Sequence, residues 1–188
     1  MEKIEKFSRY LSRVFYALLF ITPLYTIGTW VFIDSSFVRR LISWEIFLYP
    51  IQSYPSGTVD ILTHHFSAAA KFLCLTGSLI ELLPMWLGFL VLAKLFHNYH
   101  QQIVFSTVNT LCYYRLGLLL CLNAIMRPLA DVFFSLGYTI QNPPGQKIIG
   151  IAIDSTNIES IIVGLLVVVI SWIMHEAQKI HEEQTLVI

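Results

Sequence analysis

Two carboxylates and one guanidinium lie inside apolar runs of this sequence. Glu81 falls in AAAKFLCLTGSLIELLPMWLGFLVLAKLF (68–96), and Arg127 and Asp131 fall in CLNAIMRPLADVFF (121–134). A charge held at the centre of a bilayer costs about 3 kcal/mol or more unless it finds a partner. Ionisable groups at such depth either carry protons and cations or hold helices together. Both readings stay open for these three residues.

Their depth follows from helical rise. Lys94 and Arg115 mark the ends of the two runs that face each other across a short turn. Glu81 is thirteen residues from Lys94, and Arg127 is twelve from Arg115. Each charge is then roughly 18–20 Å from that face. Spans joined by a short turn pack antiparallel. Glu81 and Arg127 are therefore expected at one depth, with Asp131 one turn further along the same helix face. The planar fork of arginine suits a bridge to two carboxylates. Asn123, one turn before Arg127, extends the polar group, and Thr22, Tyr25, Thr26 and Thr29 reach similar depths. Pro84 and Pro128 lie close by, and each frees a backbone carbonyl.

Other chemistry finds little purchase. His97, His100, His175 and His181 fall near one membrane face, but their spacing is not that of a metal or haem site. Cys74, Cys112 and Cys121 form no Cys-x-x-Cys pair and read as small apolar residues. No serine, histidine and acid gather at one depth. No basic block, phosphate loop or zinc-finger spacing supports direct binding of nucleic acid. The expectation is a non-enzymatic protein with no cofactor and no metal.

The elements that carry these residues are membrane spans. The chain has 188 residues, 56% hydrophobic and 13% charged, and a mean hydropathy of +0.67. A soluble domain carries about twice that charge. The pattern predicts an all-α integral membrane protein, a four-helix bundle with spans at about 11–33, 68–96, 107–138 and 157–175, as a single domain over 1–188. Ser106 is placed as the N-cap of the third span, and Thr156 with Glu159 as a capping box for the fourth. SFVRRLISWEIFLY (36–49) reads as an interfacial helix. KIIGIAID (147–154) reads as a short extramembrane strand.

Four spans put both termini on one side. Lys3, Lys6, Arg9, Arg13, Lys94, Arg115 and Lys179 share it, against Arg39, Arg40, Lys71 and Lys147 opposite. That bias predicts cytoplasmic termini. Residues 176–188 then form a cytoplasmic helical tail. Ile173, Ala177, Ile180 and Gln184 make a stripe for docking on the 97–105 turn or on another protein.

VFSTVNTLCYYRLG (104–117) and the closing IHEEQTLVI (180–188) resemble the bacterial membrane family catalogued as domain of unknown function 2975. Phe105, Ser106, Asn109, Arg115 and Gly117, and then Ile180, Glu182, Glu183 and Leu186, carry the likeness. In the tail Gln184, Thr185 and Val187 depart from the family pattern. The resemblance implies a small four-span protein of the bacterial inner membrane. It also implies a cytoplasmic regulatory partner, acting through the 97–105 turn and the tail. The alternative is a small transporter or channel subunit, completed by homo-oligomerisation, that uses Glu81, Arg127 and Asp131.

Overall fold

A computed structural model describes residues 2–44, 51–54, 57–62, 64–103 and 106–186. Four helices in it are long and apolar enough to cross a membrane, and the fold is an all-α, four-span bundle. They are α1 (Glu2–Val31), α3 (Ala68–His100), α4 (Thr107–Thr139) and α5 (Ser155–Leu186), with the short helix α2 (Ser36–Ser43) after the first. The chain is a multi-pass membrane protein. α3, α4 and α5 run past the predicted spans and α1 begins nine residues before its own, because polar ends stay helical beyond the apolar window, while α1 stops at Val31, two residues short of the predicted end.

The strand expectation is corrected. Residues 147–154 are extended but join no sheet. Strands occur instead at β1 (Ile51–Tyr54) and β2 (Gly57–Asp60), an antiparallel pair with Ile51 opposite Asp60 and Tyr54 opposite Gly57. The interfacial helix ends at Ser43, with Trp44 as its C-cap. Ser35 caps it by accepting the Val38 N–H, and it buries Val38 and Ile42. Residues 45–49 of that expectation lie outside the described residues.

The chain divides into two compact units. One comprises residues 23–82 and 126–154. Its core joins Trp30, Ile33, Val38, Ile42, Ile61, Phe66, Ala70, Cys74 and Tyr138. Trp30 resolves its own polar atom by donating to Ser78 Oγ at 2.7 Å. Gly137 lets α4 approach Ala70 and Cys74 so closely that a Cβ there would overlap the sulfur.

The other unit comprises residues 1–22, 83–125 and 155–188. Small residues make its contacts, as expected where lipid removes the hydrophobic drive between helices. Ser12 on α1 donates to Ala93 O on α3 at 3.1 Å. A Cβ on Gly117 or Gly164 would come within 3 Å of the facing α5 or α4 backbone. The inward face of α5 is the narrow row Asn157, Gly164, Val168, Ser171 and Gln178. Ile161, Ile162, Leu165, Leu166, Val169 and Trp172 face outward.

The fourth helix begins at Ser155, so Thr156 lies inside its first turn and Glu159 is exposed. Thr156 is therefore a helical residue and not the N-cap expected of it. Ser106 does cap α4, with its Oγ accepting the Asn109 N–H at 3.3 Å.

Candidate functional site

In α4 the hydrogen-bonding residues Asp131, Ser135 and Thr139 recur every fourth position, which puts them on one helix face. Four helical residues rise about 6.0 Å, and two extended residues rise about 6.6 Å. An extended chain running beside the helix can thus present one N–H to each of the three side chains. The 148–152 segment does so. Ile148 N–H donates to Thr139 Oγ1 at 3.1 Å and Gly150 N–H donates to Ser135 Oγ at 2.9 Å. The Ala152 N–H donates to the Asp131 carboxylate. The two hydroxyls pass their own protons to helix carbonyls, Ser135 to Val132 O and Thr139 to Ser135 O. The ladder satisfies backbone groups that a strand partner would otherwise take. It also shows why a β-branched sequence is extended here without a sheet.

Glu81 and Arg127 meet in the same unit. Arg127 Nε is 3.7 Å from Glu81 Oε1, with both side chains about two-fifths exposed. The contact joins one nitrogen to one oxygen, so the fork is not used in its bidentate form. No ion pair joins Arg127 to Asp131 among the described residues, and Asp131 instead serves the ladder. The three-membered bridge expected from spacing thus resolves into an ion pair and a separate structural acceptor. Asn123 is half-buried, belongs to the other unit, and makes no side-chain hydrogen bond among the described residues.

Two of the prolines have partners that the sequence reading missed. Pro23 has no N–H for Leu19 O, four residues back, and Trp86 Nε1 donates to that carbonyl at 2.9 Å. Pro128 likewise deprives Ala124 O, and Asn157 Nδ2 donates to it at 3.1 Å. The signal was present in the sequence. A proline inside a span implies a donor near the carbonyl four residues earlier.

The turn between α3 and α4 is built on Asn109, which is fully buried. Its Oδ1 accepts from Asn98 Nδ2 and its Nδ2 donates to Ile103 O, each at 2.7 Å. Gln102 takes φ 62° and ends α3, with its N–H on Tyr99 O and the Ile103 N–H on Asn98 O. This is a left-handed helix stop of the Schellman kind, with glutamine in the usual glycine place. Asn109 is therefore a structural residue of the turn. Arg115 is exposed, with no ion-pair partner among the described residues. Phe105 lies outside the described residues.

The tail differs from its expected packing. Ile173 and Ile180 are exposed, and Ala177 is half-buried. The residues that dock are polar. Ser171 Oγ donates to Thr110 O at 2.9 Å, and Gln178 Nε2 donates to Thr107 Oγ1 at 2.9 Å. Glu183 is exposed, and the side chain of Glu182 lies outside the described residues. His175 is exposed on α5, whereas His97 and His100 line a groove with α1. Among the described residues no three metal-ligating side chains gather.

Neither a curated protein nor a solved structure matches the chain. Residues 46–188, about three quarters of the sequence, match a family model described as "Protein of unknown function (DUF2975)". With its apolar helices and its 104–117 and 180–188 segments inside that match, the chain belongs to the DUF2975 family.

Proposed function

We propose that this protein is a non-enzymatic membrane partner of a cytoplasmic regulatory protein, held through the projecting end of α5 and the neighbouring 97–106 turn. The observation that carries the reading is the course of α5. The apolar stretch gives way to the polar HEAQKI at residues 175–180, and the helix continues unbroken to Leu186. Gln178 anchors the near part on Thr107, while Lys179, Ile180 and Glu183 remain exposed. A rigid helix end that mixes charge with an exposed isoleucine suits recognition in a groove. The excess of basic residues on the terminal side, seven against four, supports cytoplasmic placement in a bacterial inner membrane. A photo-crosslinker at residue 180 tests this. It is expected to capture one cytoplasmic protein, which then binds the purified intact chain. Crosslinks to lipid alone would count against the reading.

A second reading, a small transporter or channel subunit, is favoured by the Glu81–Arg127 pair. An ion pair at 3.7 Å within two adjoining spans is a candidate proton or cation relay. One pair in four spans makes a short path, which a homo-oligomer would complete. Liposome flux that survives Glu81→Gln unchanged would remove this reading.

A further inference from the structure

The start of α1 and the end of α3 enclose an open groove of about 370 Å³, lined by Arg9, Ser12, Arg13, Tyr16, His97 and His100. All six residues belong to one compact unit. The groove arises because the two helices touch at Ser12 and Ala93 and leave room beyond that point. Phe15 stacks on Phe96 at 5.7 Å beside this contact. The volume is near the small end of ligand sites, about 300–1,000 Å³.

Its chemistry is that of an anion site. Arg9 is oriented by its neighbours: Nε donates to His100 Nε2 at 3.2 Å, and one terminal nitrogen donates to Glu5 Oε1 at 3.1 Å. His100 Nε2 accepts from Arg9, and its Nδ1 faces Glu5 at 3.7 Å without a hydrogen bond. Arg13, one turn further along α1, has no ion-pair partner among the described residues. Two guanidiniums, Arg9 and Arg13, against the one carboxylate of Glu5 leave a net positive charge at the groove. Tyr16 adds a hydroxyl donor. Arginine pairs with phosphate oxygens through two parallel N–H donors. Phe7 and Tyr10 in the same stretch of α1 are exposed aromatics, a class enriched at the headgroup level of a bilayer.

We propose that this groove binds an anionic phosphate group, with Arg13 as the principal contact and Arg9 as the pre-oriented second one. A lipid headgroup and a free phosphate share this chemistry, and the test separates them. The full-length protein is placed in phosphatidylcholine nanodiscs, with either phosphatidylglycerol in the bilayer or inorganic phosphate in solution. Retained lipid is counted by native mass spectrometry, and phosphate binding is read by calorimetry. Arg13→Gln is expected to weaken binding about tenfold, the loss of one charge-assisted contact. Lys94→Gln, an exposed cation on α3 outside the groove, is expected to leave it unchanged. Saturable retention of phosphatidylglycerol identifies a lipid, and calorimetric binding in pure phosphatidylcholine identifies a soluble phosphate. Absence of both, or equal losses in Arg13→Gln and Lys94→Gln, overturns the proposal.

Discussion

Trp86 and Pro23 are predicted to be energetically coupled although proline has no atom that the indole N–H can bond. The link is Leu19 O, which the proline leaves without its intrahelical donor and which Trp86 Nε1 reaches at 2.9 Å. Trp86→Phe removes that donor and part of a ring. The ring's packing loss is the same whatever occupies position 23. The hydrogen-bond loss is not, because Pro23→Ala restores an N–H to Leu19 O. A double-mutant cycle subtracts the first and isolates the second. Interhelical hydrogen bonds in membranes are worth about 0.6–1.7 kcal/mol. Leu19 is buried, so its orphaned carbonyl finds no water, and the upper half of that range applies. The predicted coupling is about 1.5 kcal/mol, with Trp86→Phe the milder change in the Pro23→Ala background. Equilibrium unfolding in mixed micelles measures all four variants. A coupling within about 0.3 kcal/mol of zero would refute the claim that Trp86 stands in for the missing N–H.

Further outcomes rest on other contacts. Asp131→Leu leaves the Ala152 N–H unpaired and is expected to cost about 1–3 kcal/mol, while Asp131→Asn, which keeps an acceptor oxygen, stays near wild type in the same unfolding assay. Gly117→Val drives carbon into the Gly164 carbonyl and Val168, so it is expected to lose about 1–3 kcal/mol, whereas Gly88→Ala meets nothing within 4 Å and is expected to be tolerated. The Lys71 ammonium hydrogen-bonds Asp34 and, with Arg39 nearby, holds its carboxyl below the usual carboxylate range. A depressed folded pKa gives stability that is present above the unfolded value and lost as the pH falls through the folded one. Acid unfolding below the usual carboxylate range should therefore be shallower in Asp34→Asn than in the wild type.

The spans were legible in the sequence because length and apolarity alone decide them, and Ser106 was legible because a serine before an apolar run caps a helix. The charged residues were legible as a group but not in their partners. Spacing along α4 placed Asp131 beside Arg127, yet its partner is a backbone N–H twenty-one residues downstream, which no helix periodicity reports. The 147–154 segment was legible as extended, since β-branched residues favour that backbone. That its partners would be hydroxyls on a helix depended on the match between two rises, visible only once both were in place. The tail stripe was legible as a docking surface but not in its target. Ile173 and Ile180 are exposed rather than docked on the 97–105 turn, because small and polar residues such as Gly164, Ser171 and Gln178 take the inner face when lipid surrounds the outer one.

The central claim is that the projecting end of α5 holds a cytoplasmic partner. The most direct measurement compares the intact chain with a chain cut after Ile180, which keeps the span and the Gln178–Thr107 anchor. Both are purified from native membranes in mild detergent and their companions quantified by mass spectrometry. The account predicts one cytoplasmic protein that accompanies the intact chain, is lost with the cut, and rebinds the purified intact chain. Identical companions for two equally folded proteins would contradict it and shift weight to Glu81 and Arg127.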